Sequence, residues 1–272
     1  MDARERMEAN RELWQRWTAL HVPSDFYDAG GFAADPGSRP FDRIITGLLG
    51  DVSGMRALHL QCHFGMDTLR LVHMGAEATG VDFSSAAIEA ACLLAACTGL
   101  PATFIEGDVT TPPAEVPEAA FDLVFTSYGV ISWLPDLRPW AETIASRLAP
   151  GGAFKLADSH PMLWVFDDET DDPELRVRYS YFGRDALEWE EFGSYASPGS
   201  EHVGTSHSWQ HTFEEIIGVL VGAGLVIEEL REFPLLAWKY TTAMVERGPG
   251  LFGQPDGQPE LPLMFTLTAR KP

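Results

Sequence analysis

The chain has 272 residues, of which 45% are hydrophobic, and a formal net charge of −21. That length suits one large domain, or a domain carrying a sizeable insertion, with enough apolar residues for a substantial core. A surface this acidic repels phosphate backbones and anionic lipid, so nucleic-acid and membrane partners are not expected, and a neutral or cationic small molecule is the easier one.

No apolar run approaches the ~20 residues needed to span a bilayer. The start of the chain, MDARERMEANRELWQRW, is charged and helix-prone and lacks the apolar core of a secretory signal. The expected location is therefore the cytoplasm. The three cysteines are Cys62, Cys92 and Cys97, and none forms a CxxC pair. Neither a disulfide framework nor a metal site is expected. Cys92 and Cys97 fall in an Ala/Leu-rich helical stretch and read as core thiols, and Cys62 as a small packed residue.

Taken along the chain, residues 1–50 read as a helical cap. Leu13, Trp14, Trp17 and Leu20 recur at helical spacing. Gly30-Gly31 and Asp35-Pro36-Gly37-Ser38 then break the chain before a short helix around Phe41–Leu49. Strand and helix alternate over 51–158. Strands are expected at Arg56–Cys62, Ala78–Asp82, Ala102–Glu106, Phe121–Ser127 and Ala153–Asp158. The helices between them run over 65–74, 84–98 (capped by Ser84 or Ser85) and 137–148.

From 159 to 211 the alternation stops, and the stretch carries an acidic run, Asp167–Asp172, and many aromatics. A structureless loop of that length is improbable in a compact domain, so an inserted lid is expected, with Arg176–Phe182 pairing with Leu187–Tyr195 as a hairpin. Over 212–272 the alternating pattern resumes with a helix at 212–222 and strands at Leu225–Glu232 and Leu263–Arg270.

The segment that carries most chemistry is ALHLQCHFGMDTLRL, residues 57–71: a buried strand, an abrupt turn at Gln61–Gly65, then a helix start. A second strand ends on Asp82 some twenty residues on. Strand, tight turn, helix and a strand closing on a carboxylate is how an open α/β sheet holds an adenosine-bearing cofactor. The dinucleotide fingerprint G-x-G-x-x-G is absent, which speaks against a nicotinamide dehydrogenase.

Asp82, Glu106-Gly107-Asp108, Phe121-Asp122-Leu123-Val124 and Leu148-Ala149-Pro150-Gly151-Gly152 follow this turn in the order and spacing of class I S-adenosylmethionine-dependent methyltransferases. The chain resembles that family best over Arg56–Asp158. It departs in the first turn, where the usual D-x-G-x-G-x-G reads His59, Gln61, His63 and Gly65, and is similar there to a bacterial small-molecule subgroup with a Q-C-H-x-G turn. Side chains at those positions imply a turn with no need for positive φ.

The resemblance implies a doubly wound, seven-stranded, mostly parallel Rossmann-like sheet with an N-terminal helical cap and a lid inserted after the fifth strand. It implies S-adenosylmethionine as cofactor and methyl transfer to a small molecule, aromatic or amine-bearing, in a monomer or homodimer. Carried over residue by residue, Gln61, His63 and Gly65 line the methionine part and Asp82, with Phe83 beside it, takes the ribose hydroxyls. Asp108 and the Val109 amide take adenine, Ser127 and Tyr128 lie beneath the sulfonium, and Tyr27 closes over the cofactor with Trp17 and His21.

A proton-bearing acceptor benefits from a base, and histidine suits that work near neutral pH. His160, directly after the fifth strand, is the best-placed candidate. His207 and His211 are spaced i, i+4 at an expected helix start, and Tyr128 completes the catalytic candidates. Tyr128, Trp133, Trp164 and Trp209 are candidates for a flat aromatic pocket. Each of these residues has a plainer reading as well: a helix-capping or turn carboxylate for Asp82 and Asp108, ordinary packing for the rings, a bordering polar group for the histidines. Two other functions fit the same pattern, a cyclase that keeps the cofactor without transferring its methyl, and a non-catalytic S-adenosylmethionine-binding module.

Overall fold

A computed structural model describes residues 1–167 and 175–272. Most of the acidic run, from Asp168 onward, lies outside the described residues.

The elements in chain order are α1 (Ala3–His21), α2 (Ala29–Ala34), α3 (Arg43–Leu49), β1 (Arg56–Leu60), α4 (Met66–His73), β2 (Glu77–Asp82), α5 (Ser85–Thr98), β3 (Thr103–Glu106) and β4 (Phe121–Ser127). There follow α6 (Leu137–Arg147), β5 (Leu148–Ser159), β6 (Leu187–Ser194), β7 (Ser197–Ser208), α7 (Phe213–Gly222), β8 (Val226–Phe233), β9 (Val245–Glu246), β10 (Phe252–Gly253) and β11 (Met264–Arg270). One seven-stranded sheet has the order β3-β2-β1-β4-β5-β11-β8, parallel from β3 to β5, with β11 antiparallel to both of its neighbours. This is the mostly parallel doubly wound sheet expected from the sequence. Strand order reverses between β1 and β4, so the chain leaves their carboxyl ends in opposite directions and opens a crevice there.

Alternate side chains of each strand serve opposite faces, so the sheet carries two cores. On one face Leu58, Val124, Phe154 and Phe265 pack with Trp140 and Ile144 of α6 and Ile216 and Leu220 of α7. On the other, Ala57, Phe125 and Ala157 pack with Ile45 and Leu49 of α3 and Leu71 of α4.

Several local expectations are corrected. Gly30 and Gly31 lie inside α2 rather than breaking the chain, because Asp28 caps that helix through the Gly31 amide. A Cβ on Gly31 would stand 2.4 Å from the Asp28 carboxylate, so the glycine is what admits the cap. The inserted hairpin is β6 with β7, not Arg176–Phe182 with Leu187–Tyr195; Val177 makes only an isolated bridge to Phe166. Cys92 and Cys97 are exposed, because α5 turns Ala87, Ala91 and Leu94 inward and its other flanks to solvent. Cys62 is buried as expected.

Candidate active site at the carboxyl ends of β1 and β2

β1 ends at Leu60 because the next residues leave the extended region: Gln61 has φ +56° and His63 φ +52°. The expectation of a turn free of positive φ is thus overturned, and two side-chain-bearing residues sit in the left-handed region at a cost of about 1–2 kcal/mol each. Compensating contacts surround both. The Cys62 amide donates to Val81 O at 3.0 Å, the His63 amide to Asp82 Oδ2 at 2.8 Å, and Gln61 Nε2 to Val130 O at 2.9 Å.

Gly65 closes the turn at φ +81° and caps α4. A Cβ there would lie 2.6 Å from the Phe104 ring and 2.8 Å from Ala91 Cβ. Gly65→Ala should therefore lower stability by about 1–3 kcal/mol, the range for overpacking, read as a reduced thermal midpoint.

Asp82, at the end of β2, is buried and also accepts from the Ser84 amide at 2.9 Å. Burial raises its pKa to about 6, against the lowering effect of the amide donors. Gly107 donates to Asp82 O at 2.9 Å, which brings the end of β3 alongside. Phe83 is half-buried and Val109 buried in the core. Asp108 is exposed and spends Oδ1 on the amide and hydroxyl of Thr110.

Beneath the turn, Ser127 Oγ donates to Asp67 Oδ2 at 3.0 Å, and His59 Nδ1 lies 2.9 Å from Thr68 Oγ1. His59 therefore serves the seat of α4 and does not reach the crevice; burial lowers its pKa to about 4. Asp67 also pairs with Arg70. Tyr128 has φ +31° and donates its hydroxyl to Asp42 at 2.6 Å, and burial pushes its pKa well up.

Above the turn, α1 covers the crevice. Gln15 accepts from Ser84 Oγ and the Ala86 amide and donates to Ser85 Oγ, while Arg11 pairs with Glu106 at 2.7 Å. The His21 ring meets His63 with Nδ1 to Nε2 at 3.1 Å. Around this pair stand Trp14, 5.2 Å from His63 between centroids, Trp17, 5.8 Å from His21, and Tyr27, 5.5 Å from His63. Tyr195, at the turn of the β6–β7 hairpin, lies 4.7 Å from the His21 ring and joins hydroxyls with Tyr27. Burial lowers His21 to a pKa of about 4 and His63 well below the ordinary range.

Of the expected cofactor residues, Tyr27, Gln61, His63, Gly65 and Asp82 come together here. Tyr128 and Ser127 lie below, at the β4 end. The expected bases do not join them. His160 Nδ1 accepts from the Met162 amide and Nε2 lies 2.8 Å from Glu232, with the ring between Phe213 and Phe265.

His207 lies on β7 and His211 precedes α7, so the two share no helix face. His207 lines a cavity of about 300 Å³ with Glu12 and Arg16 of α1, and His211 Nε2 lies 2.8 Å from Leu134 O. The expected aromatic quartet is also dispersed: Trp133 joins Trp14 and Trp17, whereas Tyr128 packs with Trp238 and Trp164 with Tyr240. Gln15 and Tyr195 had no local signal beyond a polar helix position and one aromatic among many. Among the described residues no His/Cys/Asp/Glu cluster is arranged to hold a metal, and no helix is long and apolar enough to cross a membrane.

The methyltransferase domain family matches residues 58–154. The ubiquinone biosynthesis O-methyltransferase of Proteus mirabilis is 31% identical over 99 residues, 36% of this chain and 40% of that protein. The chain thus matches about two fifths of that relative's length. In fold it is similar to an S-adenosylmethionine-dependent methyltransferase from Mesorhizobium loti, with TM-score 0.57 and 19% identity over 89% of this chain and 99% of that one. A methyltransferase structure from Methanosarcina mazei has TM-score 0.57 and 17% identity over 86% and 99%. Residues 58–154 thus match the methyltransferase domain family, on a fold that the chain shares with solved S-adenosylmethionine-dependent methyltransferases.

Proposed function

We propose that this protein transfers a methyl group from S-adenosylmethionine to a small acceptor of aromatic or amine-bearing character. The observation that carries the reading is the buried Asp82 carboxylate, tied through the His63 amide to the turn after β1 and set at the sheet's switch point.

The residues suit the cofactor. Each Asp82 oxygen accepts one amide and keeps lone-pair capacity for ribose hydroxyls. Gln61 Oε1 is buried without a hydrogen-bond partner among the described residues, an acceptor free for an ammonium. The electron-rich faces of Trp14, Tyr27 and Tyr195 suit a sulfonium.

When bound, the cofactor supplies a methyl already activated by positive sulfur. What the chain then contributes is placement and exclusion of water. Gln61, Gly65 and Asp82 fix the donor, and the rings of α1 and the hairpin enclose it. α1 and the β6–β7 hairpin, which close the crevice, are the elements that must part to admit ligands.

Calorimetry tests this directly. The protein should bind S-adenosylhomocysteine and not NAD, and Asp82→Ala should weaken the former by about 1–3 kcal/mol, the scale of lost hydrogen bonds to a charged group. Binding of NAD in place of S-adenosylhomocysteine would overturn the reading.

A further inference from the structure

Resting on that function, we propose that His21 is the proton acceptor for methyl transfer, that His63 positions it, and that the acceptor is a neutral aromatic hydroxyl.

The two rings come from elements far apart in sequence, the end of α1 and the turn after β1, and meet with nitrogens 3.1 Å apart. His21 is fully buried, yet its Nε2 has no hydrogen-bond partner among the described residues. Other buried polar atoms among the described residues also lack a partner, but this nitrogen, like Gln61 Oε1, lies at the crevice, where a bound ligand would supply one. With His21 Nδ1–H donating to His63 Nε2, His21 Nε2 carries a bare lone pair. His63 then does for His21 the orienting part of what the third member of a catalytic triad does: it selects the tautomer and fixes the ring.

The groups facing the pair set the acceptor class. Trp14 and Trp17 of α1, Tyr27 and Tyr195 present rings. The Asp82 carboxylate is turned to the His63 and Ser84 amides, Arg70 is paired with Asp67, and Arg39, which donates to Tyr27 O, is paired with Asp28. No fixed charge among the described residues is placed to meet an anion or an ammonium against these rings. Once α1 and the hairpin part, rings of this kind would favour a flat, neutral molecule carrying a hydroxyl.

In the step, the hydroxyl oxygen forms a bond to the methyl carbon while the carbon–sulfur bond breaks with its electrons going to sulfur. The hydroxyl proton passes to His21 Nε2, and the product is the methyl ether. Burial holds His21 at a pKa of about 4, so it is neutral and able to accept at physiological pH. A base this weak suffices because the hydroxyl becomes strongly acidic as the new bond forms.

The test uses catechol as probe acceptor, with S-adenosylhomocysteine release as the rate and calorimetry of S-adenosylhomocysteine as a separate readout. In the wild type, kcat/KM, which reports the free enzyme, should be flat above neutral pH and fall on acidification toward about 4, as His21 protonates and the cap loosens. His21→Asn should lower kcat by about 10²–10³-fold with KM for catechol changed less than about threefold, and should abolish that inflection. His63→Asn, which keeps a side-chain acceptor, should cost about tenfold and move the inflection.

A His21→Asn enzyme with wild-type kcat and pH profile would overturn the assignment of the base. Failure of catechol both to bind the S-adenosylhomocysteine-loaded protein and to be methylated would overturn the acceptor class. Neither result touches the methyltransferase reading while S-adenosylhomocysteine still binds; its failure to bind the wild type removes both.

Discussion

Asp158→Ala should destabilise the protein by about 4 kcal/mol, the scale of removing one partner from a buried charge network, and lower the thermal midpoint by roughly 10 °C. The carboxylate is 1% exposed and accepts four backbone amides: Gly129 and Ser159 at 2.6 Å on Oδ1, Ile131 at 3.1 Å and Val130 at 3.2 Å on Oδ2. Alanine leaves all four donors buried and unpaired. Burial still holds the group's pKa above the ordinary carboxylate value, so the donors offset the cost of desolvation only in part.

Asp158→Asn should fall between: one oxygen can still serve Gly129 and Ser159, while its NH₂ group faces the Val130 and Ile131 donors. The damage should reach the crevice as well. Val130 O is the acceptor for Gln61 Nε2, so loosening 129–131 frees a residue held at positive φ. Calorimetry should show weaker S-adenosylhomocysteine binding by Asp158→Asn even where it remains folded. A midpoint within 2 °C of wild type for Asp158→Ala would refute the account.

The parallel sheet was legible because its strands are short apolar runs between strong punctuation. Phe121–Ser127 coincides with β4, and Ser84 caps α5 through the Ala87 amide as the sequence suggested. What was illegible depended on tertiary partners. Glycines usually break a helix, yet Gly31 is used inside α2 to make room for a cap. Arg176–Phe182 alternates like a strand, but Leu187–Ser194 pairs with the later, more polar Ser197–Ser208, whose Gly, Ser and Pro weaken the local signal.

The cofactor turn was found, and its backbone was misjudged. Propensity says that Gln61 and His63 avoid positive φ, and bonds to Val130 and Asp82, both distant in sequence, outweigh that preference. The same limit governs the histidines. Place after a strand favoured His160, but its ring turns to Glu232 and Phe213. His21 looked like part of a capping helix because nothing local signals that it meets His63.

Acidification should loosen α1 from the crevice between pH 7 and about 4.5, seen as faster amide exchange along α1 relative to β4. His21 and His63 are folded as neutral rings, so their folded pKa values lie below the unfolded 6.5. Their contribution is present above pH 6.5 and is lost as pH falls toward the folded value of about 4. For His21 alone the fall from 6.5 to about 4 amounts to roughly 3 kcal/mol at 1.36 kcal/mol per unit. His63 acts in the same direction.

Asp82 opposes them. Its folded pKa, about 6, lies above the ordinary 3.8, so its stabilising contribution is complete only below 3.8 and is lost as pH rises through 6. That contribution is also roughly 3 kcal/mol, so Asp82 cancels about one of the two histidines as pH falls. The second histidine decides the sign, and the net effect is opening. His21→Asn should therefore flatten the pH dependence of α1 exchange, and Asp82→Asn should steepen it by removing the counterweight. Protection of α1 that does not change from pH 7 to 4.5, in the wild type and in both variants, would mean that these buried groups do not hold the cap.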